Sequence, residues 1–201
     1  MKKERAVFLD RDGTINVEVN YLNNVDQLNL IDGTARAIEM LNNKGFKVII
    51  FTNQAAIARG YLSEDYLDVI HQELKNMLEA ENAFIDAVYY CPHHPTAGTG
   101  AYTKNCQCRK PNPGMLLTAA EEHRIDLSAS YTVGDKLSDL GAGHAVGCKN
   151  ILVRTGYGRE AEKEIPNHHF RPDYIADNLL AASKWILDEN QGRFGDDTAN
   201  R

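Results

Sequence analysis

The sequence predicts an α/β fold, a doubly wound parallel sheet. Three observations carry that reading. Short apolar runs alternate with stretches of helical periodicity, strand-like runs uninterrupted by helix are nearly absent, and polar residues collect just after the apolar runs. In open parallel sheets ligands bind beyond the carboxyl ends of the strands, so those polar residues mark the candidate site.

The elements follow in order. Ala6–Leu9 (AVFL) is the first buried strand. Asp32–Asn43 is a helix, with Ala35, Ile38 and Leu41 at helical spacing and Gly45 as its C-terminal stop. Lys47–Phe51 is the second strand. Ser63 suits an N-cap, and Glu64 and Asp65 occupy the first turn, where carboxylates favour the helix dipole. Leu67, Ile70, Leu74 and Met77 form that helix's buried stripe. Asp86–Tyr90 is the third strand, and Pro113 begins the next helix, where its missing N–H costs little. Tyr131–Val133 is the fourth strand, Ser138–Val146 a helix closed by Gly147, and Asn150–Val153 the fifth strand. A last helix runs from about Asn178 to Asp188. Residues 1–191 then make one domain, and the polar, glycine-bearing residues 192–201 are expected to form a loose tail.

Composition limits the function. A length of 201 residues suits one domain, since domains average on the order of 150. A chain that is 43% hydrophobic and 25% charged is not a disordered, collagenous or disulfide-miniprotein sequence. There are 22 Lys+Arg against 28 Asp+Glu, for a net charge of −6 and no basic block. That argues against broad contact with a nucleic-acid backbone. No apolar run approaches the roughly 18 residues of a membrane span, and the run after Arg5 ends at Asp10, too short for a signal-peptide core. The expected address is the cytoplasm, with no membrane or nucleic-acid partner and a monomeric state.

Two carboxylates, Asp10 and Asp12, follow the first strand in Asp10-Arg11-Asp12-Gly13-Thr14. Like charges that close disfavour one another unless a cation compensates, as a hard ion such as Mg²⁺ would with oxygen ligands. Asp-Gly is also an ordinary turn pair. Thr52, Asn53 and Gln54 follow the second strand, where a hydroxyl and two amides can hold phosphoryl oxygens or simply make a turn. Asp135 follows the fourth strand, as a third metal carboxylate or as part of a helix start capped by Ser138 or Asp139. Arg109 and Lys110 are cations between the third and fourth strands. Cys91, His93, Cys106 and Cys108 offer three thiolates and an imidazole, a closed tetrahedral set of the structural zinc type, with His94 competing for the nitrogen position. Cys148, near the fifth strand, suits an inert buried thiol. A zinc clamp immediately before Arg109 and Lys110 would fix residues 95–104, which otherwise lack any apolar anchor.

In this order the motifs resemble the haloacid dehalogenase (HAD) superfamily of phosphohydrolases, from Ala6 to about Val153. The resemblance implies a Rossmann-like HAD fold, here without room for a separate cap domain between Asp10 and Thr52 or between Thr52 and Lys110. It implies that Asp10 is the nucleophile, that Asp12 is the acid and base, and that Thr52 and Lys110 hold the phosphoryl oxygens. Asp10, Asp135 and the backbone carbonyl of Asp12 are the implied Mg²⁺ ligands, and Asp139 a supporting residue for Lys110 or the metal. Ile57-Ala58-Arg59-Gly60, Cys91-Pro92-His93-His94-Pro95 and Gly134-Asp135-Lys136 sharpen the likeness to sugar-bisphosphate phosphatases of the histidinol-phosphatase-like group. That implies a heptose 1,7-bisphosphate losing its 7-phosphate; histidinol phosphate, and less readily a nucleic-acid 3′-phosphate, are the other substrates such scaffolds take. The implied substrate contacts are Glu18, Val19, Asn20, Tyr21, Asn53, Gln54, Ala55, Arg109 and Lys136, and Arg59 is a second candidate for a distal phosphate. Ala55-Ala56 and Glu18-Val19-Asn20 depart from the group's usual Ser-Gly and Asp-His-Gly.

Overall fold

The structure, a computed structural model, describes residues 3–98 and 100–195. Six strands form one parallel sheet, β1 Ala6–Leu9, β2 Lys47–Asn53, β3 Ala87–Cys91, β4 Tyr131–Gly134, β5 Lys149–Val153 and β6 Tyr174–Ala176, in the order β3-β2-β1-β4-β5-β6. β1 is central: Val7 stands opposite Val48 on one side and Tyr131 on the other. Among the described residues the α-helices are α1 Thr34–Asn43, α2 Ala55–Ala58, α3 Glu64–Glu79, α4 Gly114–His123, α5 Leu137–His144 and α6 Gly158–Glu164 between strands, and α7 Leu179–Gly195 after β6.

Alternation along the strands divides the core in two. Val7, Leu9, Val48 and Ile50 face Ile38 and Leu41 of α1, Leu67, Ile70 and Leu74 of α3, and Ala182 and Ile186 of α7. Ala6, Phe8, Ile49 and Phe51 face the other way, onto Met115, Leu116 and Ala119 of α4 and Ala142 of α5. Because both faces are covered, β1 is buried throughout, which is why it reads as an unbroken apolar run.

Several boundaries depart from the sequence expectation. β6 was not expected; it is three residues long and lies at the sheet edge, too short to show a period. The third strand starts at Ala87, because the Asp86 carboxylate instead accepts from the Val48 N–H at 2.8 Å and pairs with Lys47 at 3.0 Å. α1 starts at Thr34 rather than Asp32, since Gly33 adopts a left-handed φ of 81°. Pro113 sits in the capping position and α4 starts at Gly114. Lys136, not Ser138 or Asp139, is the residue that precedes α5; the Asp139 carboxylate accepts its N–H at 2.9 Å. The buried stripe of α3 ends in Leu78, with Met77 only half-buried, and includes His71. α7 continues to Gly195, into the stretch expected to be a tail; residues 196–201 lie outside the described residues. Among the described residues no helix is long and apolar enough to cross a membrane.

α5 is pressed against the sheet at Gly143. A Cβ there would lie 2.2 Å from both Asn150 Oδ1 and Thr132 Oγ1, which are themselves bonded at 2.7 Å. Gly143→Ala therefore forces α5 away from β4 and β5. We expect a loss of about 1–3 kcal/mol, as for other overpacked sites, read as a lower urea midpoint with an unchanged m value.

Candidate active site

The ends of β1, β2 and β4 bring the polar residues together. Asp10, one residue beyond β1, is 4% exposed, and its N–H donates to Val133 O at 2.9 Å. Lys110, also 4% exposed, reaches it from the chain between β3 and α4. Lys110 Nζ lies 2.9 Å from Asp10 Oδ1 and 2.7 Å from Asp139 Oδ1, and donates to Phe51 O at 2.8 Å. Burial works against the charged ammonium, but Asp10 and Asp139 outweigh it and hold the Lys110 pKa above the ordinary value. The backbone of Lys110 is fixed by Asn53, whose amide accepts from Lys110 N–H at 3.1 Å and donates to Lys110 O at 3.2 Å. Asn53 thus holds the lysine's backbone.

Asp10, Asp135 and Asp139 form an acidic trio, each offering an oxygen within 4.8 Å of the others. Asp135 Oδ2 accepts from Tyr157 N–H at 2.8 Å, while its Oδ1 is buried without a partner. Burial, then Asp10 and Asp139, push the Asp135 pKa up to about 8. An orphaned buried carboxylate oxygen facing two further carboxylates fits a hard divalent cation, which takes oxygen ligands and offsets such charge. Asp139 is the member of this trio that the sequence left as a supporting residue. Gly13 makes room for the trio: it holds a φ of +82°, and a Cβ on it would lie 2.2 Å from Asp135 Oδ2.

Asp12 stands apart from the trio in a clasp of donors. Arg11 Nη2 donates to both its oxygens, at 2.9 and 2.8 Å, and Arg11 Nε to Oδ1 at 3.1 Å. Asn16 donates to Oδ1 and Gln54 to Oδ2, each at 3.0 Å. Burial would raise the Asp12 pKa, but Arg11, Asn16 and Gln54 together hold it below the usual carboxylate range. Thr52, 1% exposed, lies one residue before the end of β2, and its hydroxyl accepts from Gln54 Nε2 at 2.9 Å. Ala55 opens the short α2 beside Gln54.

The rim divides the remaining predicted contacts. Glu18 pairs with Lys136 at 3.1 Å, and Asn20 accepts from Tyr157 OH at 2.9 Å. Glu18, Asn20, Thr155 and Tyr157 help line a cavity of about 430 Å³. Acidic neighbours, Asp10 foremost, more than offset burial and raise the Lys136 pKa. Val19 does not join them; it packs against the main core. Tyr21 stands on another part of the rim, against Tyr61 and under Arg59, whose guanidinium lies 5.5 Å from its ring. Arg59 Nε has no hydrogen-bond partner, and Arg109 donates to His93 O at 3.0 Å.

The cysteine–histidine set is brought together from both ends of its loop. Cys91 Sγ lies 3.5 Å from Cys106 Sγ and 3.2 Å from Cys108 Sγ, and the last two are 3.3 Å apart. His93 Nδ1 is 3.4 Å from Cys108 Sγ and 3.7 Å from Cys91 Sγ. Thiolates bound at about 2.3 Å around a tetrahedral zinc are roughly 3.7 Å apart, so a small expansion admits the ion. His94 points elsewhere, accepting from Ala97 N–H at 2.8 Å. The loop has a second anchor: the Glu64 carboxylate accepts from Tyr90 OH at 2.5 Å and from Tyr102 OH.

Sequence reasoning passed over Arg11, His71 and the loop 154–157. Arg11 lay between two quoted aspartates, and His71 was a polar residue on the apolar face of α3. The loop follows β5, a strand end that the same rule would have flagged.

A HAD-hydrolase-like family model matches residues 107–182. The chain is 44% identical over 185 residues to a D-glycero-D-manno-heptose-1,7-bisphosphate 7-phosphatase of Thermosynechococcus vestitus, covering 90% of this chain and 94% of that protein. It is 45% identical over 157 residues to the D-glycero-beta-D-manno-heptose-1,7-bisphosphate 7-phosphatase of Escherichia coli K12, covering 77% and 82%. A crystal structure of D,D-heptose 1,7-bisphosphate phosphatase from B. bronchiseptica, complexed with magnesium and phosphate, superposes with a TM-score of 0.82 at 32% identity, covering 92% of this chain and 99% of that one.

The four-donor set generates a direct test. Cobalt(II) added to the reduced, metal-free protein should give the visible absorption of a tetrahedral thiolate site at one equivalent. Cys106→Ser should weaken that band and the affinity together.

Proposed function

Because the chain belongs to the D-glycero-D-manno-heptose-1,7-bisphosphate 7-phosphatase family of HAD-like hydrolases, we propose that it removes the 7-phosphate of D-glycero-D-manno-heptose 1,7-bisphosphate, in the synthesis of nucleotide-activated heptose. The observation that carries the reading is Asp10, held 2.9 Å from a buried lysine and joined by Asp135, just past β4, and Asp139, in α5.

Asp10 Oδ attacks phosphorus as the bond to the sugar oxygen breaks; Asp12, ionised in the substrate-free site, takes the proton of a phosphate ester entering as its monoanion and hands it to that oxygen. Water then attacks the aspartyl-phosphate, Asp12 takes its proton, and inorganic phosphate leaves with Asp10 restored. Lys110 and Thr52 hold the oxygens of the transferring group. Gly13 keeps the backbone close to Asp135. Asp10, Asp135 and the carbonyl of Asp12 would hold Mg²⁺, with Asp139 beside them; the ion supplies charge neutralisation of the phosphoryl oxygens. Cys91, His93, Cys106 and Cys108 would hold Zn²⁺, which supplies rigidity to the segment presenting Arg109 and Lys110.

The second phosphate of the substrate needs cations on the rim. Arg109, held by one bond to His93 O, is the first candidate and Arg59, whose Nε has no hydrogen-bond partner, the second. The guanidinium fork suits a phosphate. Lys136, Glu18 and Asn20 face the sugar of this small phosphorylated substrate, and the acting unit is a cytoplasmic monomer.

Phosphate release with Mg²⁺ tests this, with both anomers of the heptose bisphosphate compared against histidinol phosphate. One heptose anomer should win by about a hundredfold in kcat/KM, or roughly 2.7 kcal/mol of transition-state binding. Preference for histidinol phosphate would overturn the substrate assignment. Asp10→Asn should abolish turnover, and Arg109→Ala should raise KM for the bisphosphate more than for histidinol phosphate. EDTA should stop the reaction, and Mg²⁺ should restore it.

A further inference from the structure

Arg11 is the largest fully buried side chain among the described residues, at 0% exposure, and it is not one of the residues assigned above to the phosphoryl oxygens. Its guanidinium is divided among three partners. Nε and Nη2 take the Asp12 carboxylate, Nη2 also donates to Gln54 Oε1 at 3.2 Å, and Nη1 meets His71 Nε2 at 3.2 Å. Gln54 closes the ring by donating to Asp12 Oδ2 and to Thr52 Oγ1.

In the substrate-free site the chemistry fixes every proton in this network. A guanidinium has donors only, so His71 Nε2 must be the acceptor, and the ring is the neutral tautomer with its proton on Nδ1. An ionised Asp12 only accepts, so the Gln54 amide must present its nitrogen there and its oxygen to Arg11. His71 is 6% exposed on the buried face of α3. Burial, then Arg11, lowers its pKa to about 3 against the opposing effect of Asp12, and Lys75 is the remaining charged group acting on it. The ring therefore stays an acceptor across the neutral range.

We propose that His71 is a positioning residue for the acid–base step, aiming the Asp12 carboxylate through Arg11, with Gln54 tying the same carboxylate to Thr52. α3 thereby sets the orientation of a group at the end of β1 that it does not itself touch. The proposal rests on the assignment of Asp12 as the acid–base residue. Removal of the Nε2 acceptor leaves one arm of a buried guanidinium unpaired and frees the clasp to rotate.

The test compares kcat/KM on two substrates, because that parameter stops at departure of the first product. The heptose bisphosphate leaves as an alkoxide that must be protonated, whereas p-nitrophenyl phosphate leaves as a stable phenolate. His71→Leu should lose about tenfold or more on the sugar and less than about twofold on the aryl ester, within the range that acid catalysis contributes. His71→Gln, whose amide oxygen can accept from Arg11, should recover most of that loss. Equal losses on both substrates, or no recovery in His71→Gln, would overturn the proposal. Asp12→Asn is the reference: if it shows no such selectivity, the acid–base assignment itself falls and the proposal with it; if it shows selectivity and His71→Leu does not, only the proposal falls. A measurement on the unaltered protein needs no variant to fold. Nitrogen NMR of the imidazoles at neutral pH should find His71 with Nδ1 protonated and Nε2 bare, and a proton on Nε2 would overturn the proposal.

Discussion

A buried ammonium sets the terms for this site. Lys110 Nζ is shared by Asp10, Asp139 and the Phe51 carbonyl, and almost no water reaches it. Without that charge, three carboxylates would face one another in a medium where ions are costly to bury. With it, three ionised carboxylates and one ammonium still carry two net negative charges, which a divalent cation would offset. The rest of the molecule serves this balance: Asn53 fixes the lysine's backbone, Gly143 lets α5 bring Asp139 close, and β1 delivers Asp10 between its two neighbours.

Two buried arginine and lysine systems operate side by side with different purposes. The Lys110 system neutralises the buried carboxylates of Asp10 and Asp139. The Arg11 system clasps the carboxylate of Asp12. Helix α3 touches both the second system, through His71, and the cysteine–histidine loop, through Glu64 with Tyr90 and Tyr102. A single helix thus reaches the Asp12 clasp through Arg11 and braces the loop that leads to Lys110.

Much of this was legible in the sequence. The first five strands, the order of the strand-end motifs and the cysteine–histidine set all came from local patterns, because buried parallel strands are continuous apolar runs and metal ligands of this kind cluster by type. The remainder depended on contacts between distant segments. β6 is only three residues long and is defined by pairing with β5. The role of His71 arises from a partner on another element, and nothing near it in sequence is charged in the right way. Asn53 and Gln54 were read as possible phosphate ligands from their types, whereas their amides are occupied by Lys110 and Asp12, which only the three-dimensional arrangement reveals. Likewise Val19 turned inward while Glu18 and Asn20 turned outward.

The strand order has a consequence for how the chain is made. β1 is synthesised first, yet it is completed on one side by β2 and on the other by β4, whose first partner of Val7 is Tyr131. During vectorial synthesis Asp10 therefore emerges long before the carboxylates at 135 and 139 that surround it, and it has no finished surroundings until most of the chain has left the ribosome. The four-donor set is different: it is complete once Cys108 has been made, ahead of β4. The loop that carries Lys110 can thus be folded before the pocket it will serve exists, so that the nascent lysine meets Asp139 already held in place.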